Sequence, residues 1–336
     1  MHITIYRPGQ IPIPPPGYGG AQRVIYWLGK TLVELGHQVT LIANAQSHIP
    51  GAELRVVDEN EKDPQAWLRL VPDSTDIVQL FDTPAVIIPK PFLVRIGGNG
   101  RPGEQFHPNT VFLSRNHAAN HGSRHYVHNG LDPADYSFLE KREDYAVFLA
   151  KARWPVKNLH GAAWVARRAG LELRVIGSRN WPLNLQRLLP AIRGVRYCGT
   201  FGGQKKRDLI ARARCLIFPV RWHEPFGVAV IEALVSGCYV AGTPYGSLPE
   251  IITPESGVLS AKAEELAEAV KNPQRFNPLI CRDRVLRGGF TIQDSAQGYL
   301  KCYERILSHG SLGEPDEPAP VTRPGFVANQ LLPWED

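Results

Sequence analysis

Strands and helices alternate along most of this sequence, and that rhythm predicts an α/β chain of two doubly wound parallel sheets. Three observations carry the prediction. Short β-rich runs are repeatedly followed by amphipathic helical runs, the pattern of a parallel sheet. A glycine loop, Gly17-Tyr18-Gly19-Gly20, separates the first strand from the first helix. A turn-rich segment, His128-Asn129-Gly130-Leu131-Asp132-Pro133, then interrupts the alternation, which starts again beyond it. A length of 336 residues fits two domains of ordinary size better than one.

In order, residues 2–6 read as a strand, followed by a Pro-rich loop from Arg7 to Pro16. The helix after Gly20 carries Val24, Leu28, Thr31, Leu32 and Leu35 on one face and stops at Gly36. Strands are expected at 38–43, 53–57, 76–80, 91–96, 110–114 and 125–128, with helices around 64–71 and 115–121. Residues 134–144 read as a linker. Beyond it, a strand at 146–150 leads through Lys151, Arg153 and Lys157 into a helix at 159–169. Further strands near 172–177, 194–198, 215–219, 238–242 and 257–260 have helices between them. The helix at 204–213 is ringed by Lys205, Lys206, Arg207, Arg212 and Arg214, which reads as a solvated face, with a membrane surface or polyanion as the alternative contact. An amphipathic helix at 292–307 precedes a stretch, Gly310 to Asp336, that holds five prolines and reads as an irregular tail. Phe326, Leu331, Leu332 and Trp334 are its candidate anchors.

Composition narrows the function classes. Apolar residues make up 43% and charged residues 21%, as in a soluble globular protein. No apolar run reaches the roughly 18 residues that span a bilayer, and the start of the chain lacks signal-peptide character. Five cysteines form no C-x-x-C pair, which suggests reduced thiols in a cytosolic protein and no structural metal. The net charge of +6 is uneven: residues 309–336 carry five acidic groups and one basic group, leaving +10 on the rest. That balance suits anionic substrates, nucleic acid or an anionic membrane surface, and nothing resembles a nucleic-acid module. Neither a dinucleotide fingerprint nor a Gly-Lys-Ser/Thr phosphate loop is present.

The stretch richest in chemistry is His223-Glu224-Pro225-Phe226-Gly227, followed by the apolar run Val228–Ser236 and by Gly237. It reads as a strand end, a turn and a buried helix, with Pro225 at or just before the first turn and Gly237 ending it. Free N–H groups at the helix start suit a phosphate, Gly227 allows a ligand close to the backbone, and Glu224 can accept hydrogen bonds from sugar hydroxyls. Glu232, seven residues further on within the apolar run, requires donors. The plainer alternatives are that Glu224 caps the helix and that Glu232 is a buried ion-pair partner. Lys151, Arg153 and Lys157 lie at a strand's C-terminal edge, where ligands bind in open α/β sheets. They can neutralise a diphosphate, or they are merely solvent-exposed.

E-P-F-G, seven residues between two glutamates, and the turn Gly242-Thr243-Pro244-Tyr245-Gly246-Ser247-Leu248-Pro249-Glu250 together resemble the donor site of the retaining GT-B glycosyltransferases, group 1 or family 4. The resemblance implies a GT-B fold, two Rossmann-like doubly wound domains facing across a cleft. It places an acceptor-side domain at 1–135, on which the helix at 291–307 packs back, a nucleotide-sugar domain at 136–290 and a Pro-rich acidic tail at 308–336. It further implies that Glu224, Pro225, Phe226 and Gly227 hold the donor sugar, that Glu232 holds the ribose, and that Gly19 and Gly20 face the diphosphate. A tight turn with no ligand role is the alternative for that glycine pair. Where the family usually has Gly-Arg and Lys-Gly pairs, this chain has Ala150-Lys151 and Lys157-Asn158.

The first half departs from the family pattern. Gly97 stands where a strand-end histidine is common, and the preceding strand-end segment, Asp76-Ile77-Val78-Gln79-Leu80-Phe81-Asp82, carries no histidine either. His107, His117 and His121 lie nearby with no sequence ground for choosing among them. Asp82 and Asn99 are the polar strand-end candidates for a catalytic role beside Glu224. The expected activity is retaining transfer of a sugar from a nucleotide-diphosphate donor, a UDP- or GDP-sugar, to a hydroxyl of a glycan, lipid-linked or small-molecule acceptor. No obligatory cofactor or metal is expected, the donor being a co-substrate. The missing histidines favour one alternative, a degenerate sugar-nucleotide-binding protein or a partner subunit of an active transferase. The expected location is cytoplasmic, with the inner membrane face as a further contact.

Overall fold

The computed structural model describes residues 1–17, 19–58, 63–177 and 194–336. The chain divides into two compact units, the first made of Met1–Leu131 with Thr291–Val327, the second of Asp132–Phe290 with Ala328–Asp336. Each unit is built on one six-stranded parallel sheet.

In the first unit the strands are β1 (His2–Tyr6), β2 (Gln38–Ala43), β3 (Glu53–Val56), β4 (Ile77–Leu80), β5 (Phe92–Arg95) and β6 (Thr110–Val111), in the spatial order β3-β2-β1-β4-β5-β6. Ile3 pairs with Val39 on one side and Ile77 on the other. Both faces of β1 and β4 are covered: Ile3, Ile5, Ile77 and Val78 are fully buried, and so are the polar Thr4 and Gln79 in the same strands. Helix α1 (Gly20–Glu34) buries Val24, Leu28, Thr31 and Leu32 on the face its period predicts, with Ile25 and Trp27 beside them, whereas Leu35, expected on that face, lies past the helix end and is 49% exposed. Helix α2 (Arg115–Asn120) is capped by the Ser114 hydroxyl.

The second unit repeats the plan with β7 (Glu143–Leu149), β8 (Glu172–Ile176), β9 (Val195–Gly199), β10 (Ala213–Phe218), β11 (Tyr239–Gly242) and β12 (Gly257–Leu259). The spatial order is β12-β11-β10-β7-β8-β9, the same 3-2-1-4-5-6 arrangement when read from the other edge. Among the described residues its helices are α3 (Leu159–Arg168), α4 (Gly203–Arg212), α5 (Val228–Val235), α6 (Leu248–Ile251), α7 (Ala263–Lys271) and α8 (Pro278–Leu286). The strand order reverses between β7 and β10, so the loops after those two strands flank the switch point where such sheets bind ligands. Those loops carry Lys157 and Glu224.

Helix α9 (Ile292–His309) opens with a capping box, Thr291 and Asp294 bonding each other's backbone, and packs against α1 and β5. Its Tyr303 hydroxyl donates to the buried Gln79 Oε1 at 2.7 Å, which accounts for a polar side chain in the middle of β4. All five cysteines are free.

Some elements differ from expectation. Residues 125–128 form no strand: Tyr126 makes one isolated bridge with Phe112, and the chain then turns to pair Leu131 with Thr291. The strand expected at 110–114 joins the sheet only over Thr110–Val111, Phe112 making just the isolated bridge to Tyr126. The helix expected at 64–71 is a five-residue 3-10 turn, Ala66–Leu70, confined between Pro64 and Pro72. The helix expected between 172–177 and 194–198 falls at 178–193, outside the described residues. Residues 310–336 form no helix or strand, yet Leu312, Thr322 and Phe326 are buried.

Replacing Tyr303 with phenylalanine leaves the buried Gln79 oxygen without that donor. The first unit should lose about 1–3 kcal/mol of stability, read as a lower urea midpoint for that unit with little change in the second.

Candidate functional site

The loop from β10 to α5 is shaped by backbone before side chains matter. Gly227 is the N-cap of α5 at φ 86°, a left-handed conformation. At the other end Gly237 and Cys238 donate to the carbonyls of Leu234 and Ala233, the double bond of a Schellman stop. Six of the eight α5 side chains are buried. Pro225 lies two residues before the N-cap, outside the first turn, and no side chain caps α5, so Glu224 is not a helix cap. The Gly242–Glu250 turn clasps the loop from outside. Thr243 Oγ1 donates to the Val220 carbonyl at 2.5 Å, Ser247 Oγ to that of Phe226 at 2.6 Å, and Ser247 N–H to that of Glu224 at 2.9 Å. Gly246 is pressed so closely on Glu224 that a Cβ there would meet its backbone nitrogen at 2.2 Å.

Held this way, Glu224 is 7% exposed. Its Oε2 accepts from Lys157 Nζ at 2.5 Å and from Trp222 Nε1 at 2.7 Å. The Lys157 ammonium also lies 4.5 Å from the Trp222 ring centroid and 5.4 Å from that of Phe218. A buried cation is thus met by a carboxylate and two aromatic faces. Glu232, 5% exposed, is served in the same fashion: its Oε1 accepts from Tyr136 OH and from Lys206 Nζ, each at 2.6 Å. The two glutamates of the motif are therefore both buried and both paired with lysine.

Among the three cations of the loop after β7, the structure brings Lys157 to Glu224 and leaves Lys151 and Arg153 exposed. Lys151 Nζ lies 4.7 Å from the centroid of the exposed Trp154 ring. Phe226 is buried and packs 6.1 Å from Phe290. In the first unit, Gly19 and Gly20 are the N-cap and first residue of α1. Tyr18 beside them lies outside the described residues. Asp82 is an exposed carboxylate paired with Arg7 at 2.9 Å, and Asn99 is half-buried in the loop after β5. Lys206, Tyr136 and Trp222 are the functional candidates that sequence reasoning missed. Lys206 sat within a basic run read as solvated, and Tyr136 within a presumed linker.

The structure also separates the three nearby histidines. His117, fully buried, accepts the Leu113 N–H at Nδ1 and so donates from Nε2 to the Gly98 carbonyl, at 3.2 and 3.0 Å. It fastens the loop that carries Gly97 and Gly98. Burial, then the neighbouring His121, lowers its pKa to about 3. His121 stacks on Phe112 and bonds Thr322 Oγ1, with its pKa lowered to about 4, mainly by burial. His107 accepts the Asn109 N–H and packs on Phe92.

Comparison with known proteins gives this geometry a context. Residues 143–272 match the family model described as glycosyl transferases group 1. Among solved structures, AviGT4, a glycosyltransferase involved in avilamycin A biosynthesis, is similar with a TM-score of 0.74 and 26% identity, over 91% of this chain and 98% of its own. The chain has the GT-B fold. Sucrose-phosphate synthase from Thermosynechococcus elongatus shares this GT-B architecture at TM-score 0.67 and 15% identity, covering 91% and 99% of the two chains. So does Anabaena Alr3699/HepE, in complex with UDP-glucose, at 0.65 and 14%, covering 92% and 100%. A search of curated proteins finds no match. By its GT-B fold and its group 1 domain the chain is a glycosyltransferase of the hexosyl-transferring type. Among the described residues no helix is long and apolar enough to cross a membrane, and no cluster of three or more His, Cys, Asp or Glu could hold a metal ion.

Two outcomes follow. Gly227→Ala should cost only the left-handed strain, about 1–2 kcal/mol, because a Cβ there has ordinary contacts at 3.4 Å. Gly246→Ala should cost clearly more, since it also forces the backbone of Glu224 to move. Urea unfolding of the second unit ranks the pair. The second outcome concerns acid. His117 and His121 stay neutral in the fold, whereas the unfolded chain binds their protons once pH drops below about 6.5. Their contribution is complete above that value and is lost as pH falls towards 4 and then 3. Each can remove on the order of 1.4 kcal/mol per pH unit in that window. Melting of the first unit at pH 7.5 and pH 5 should show the drop, and His121→Gln should shrink it.

Proposed function

We propose that this chain is a retaining glycosyltransferase that moves a sugar from a UDP- or GDP-sugar to a hydroxyl of a glycan, lipid-linked or small-molecule acceptor. The observation that carries this reading is the pair of buried, lysine-paired glutamates, Glu224 and Glu232, within the group 1 domain. On donor binding, the diphosphate competes for the Lys157 ammonium, with Lys151 and Arg153 adding charge from the same loop. The start of α5 beyond Gly227 offers its free N–H groups to the anion. Glu224, released from Lys157, takes sugar hydroxyls in its place. Glu232 takes the ribose hydroxyls, with Tyr136 and Lys206 holding its carboxylate.

In the transfer, the bond from the sugar's C1 to the leaving phosphate oxygen breaks and a bond from C1 to the acceptor oxygen forms. The acceptor's proton passes to the departing diphosphate on the same face. The protein positions reactants and stabilises charge. Gly19 and Gly20 add helix N–H groups from the first domain, while Asp82 and Asn99 are the proposed sugar or acceptor contacts there. The proposed domains are 1–135 on the acceptor side, completed by α9, and 136–290 for the donor. The UDP-glucose complex of the Anabaena protein supports the donor class. No obligatory metal or cofactor enters this scheme. A second reading, a sugar-nucleotide-binding partner subunit without turnover, is favoured by one feature: Gly97 offers no side chain and Gln79 is committed to Tyr303.

Glu224→Ala should erase most of the affinity difference between a sugar nucleotide and the matching nucleoside diphosphate. Charge-assisted bonds to sugar hydroxyls supply roughly 1.5–3 kcal/mol each, and turnover should fall with them. Isothermal titration with both ligands checks this. A variant that keeps the parent's preference for the sugar-bearing ligand sinks the role given to Glu224.

A further inference from the structure

The last residues of the chain, Leu331 to Glu335, lie across the second unit at the edge where its sheet's strands end. Leu332 meets the segment after β10: its N–H donates to the Arg221 carbonyl at 2.7 Å, and Arg221 Nε donates back to its carbonyl at 2.8 Å. The Pro333 carbonyl accepts from Tyr245 OH, in the turn after β11, at 2.7 Å. Glu335 reaches the segment after β12, donating to the Ala261 carbonyl at 2.9 Å and accepting from the Ala263 N–H at 2.7 Å. The Trp334 ring closes on Gly161 in the first turn of α3, where a Cβ would approach it to 2.8 Å. Arg221 itself donates its N–H to the Val156 carbonyl at 2.7 Å, joining the loop of Lys157 to the loop of Glu224.

We propose that residues 331–335 are a brace for the donor site, tying the loops that follow β7, β10, β11 and β12 into one arrangement in which Lys157 and Glu224 are held ready. The tail bonds to Arg221, Tyr245, Ala261 and Ala263, whereas the Glu224 carboxylate is met by Lys157 and Trp222. It thus acts on the loops from outside as a positioning element rather than filling the site as a plug. The inference rests on the donor reading proposed above.

Two variants test it: a chain ending at Gln330, and a full-length Leu332→Pro/Glu335→Pro chain that lacks the N–H donors to Arg221 and Ala261. Hydrogen–deuterium exchange over 151–158, 221–224 and 243–246 should speed up in both, with the central strands β7 and β10 unchanged. Affinity for whichever of UDP-, GDP- or ADP-glucose binds the parent should fall about ten-fold through lost pre-organisation, with KM rising more than kcat falls. A synthetic peptide of residues 328–336 should restore affinity to the shortened chain. Unchanged loop exchange overturns the brace, as does exchange that rises equally through β7 and β10, the mark of general destabilisation. Tighter donor binding by the shortened chain also overturns it, by showing a plug. If the parent binds none of the three donors, the donor reading fails, and the exchange result still decides whether the tail braces these loops.

Discussion

A carboxylate taken out of water must find a positive partner, and the second unit meets that demand twice within nine residues of chain. Glu224 holds Lys157 and Glu232 holds Lys206. Removing one member of such a buried pair costs about 3–5 kcal/mol, because the other charge is stranded. The surrounding structure is arranged so that neither charge is stranded. Trp222 supplies a second donor and a π face, Tyr136 arrives from the segment before β7, and the glycine turn presses the loop into place. On the proposed reading the same constraint gives binding its selectivity. A diphosphate that draws Lys157 away leaves Glu224 short of donors unless a sugar comes with it.

The repeated sheet order places this chemistry. In both units the first strand is central and the order reverses beside it, so a loop after the first strand and a loop after the fourth are neighbours. In the second unit these are the loops of Lys157 and Glu224. The first unit has the same opening, with α1 starting at Gly19 and Gly20, but the loops after its fourth and fifth strands carry the exposed Asp82 and the half-buried Asn99.

Much of this was legible in the sequence because it depends on local order. Apolar runs bounded by turn formers gave most of the strands, and the spacing from Glu224 to Glu232 marked the candidate site. What escaped depends on pairing between distant residues. Lys206 lies on a helix with charge around most of its circumference, so no periodicity distinguishes the one ammonium that turns inward. Tyr136 looked like linker because the residues around it are polar and turn-forming. Residues 125–128 have strand composition but find only one bridging partner, and composition cannot count partners. The tail was read as irregular from its prolines, yet an irregular backbone can still donate and accept hydrogen bonds, and here it does so at the sheet edge.

The route of the chain has a consequence for how it is made. It leaves the first unit after Leu131, returns at Thr291, and departs again after Val327. A ribosome therefore releases six strands and α1 of the first unit long before α9 exists. Gln79, inside β4, waits for a hydroxyl made 224 residues later. The second unit, begun afterwards, has its whole sheet synthesised before the first receives its last helix. The first unit thus waits through the synthesis of that sheet with the apolar face meant for α9 uncovered.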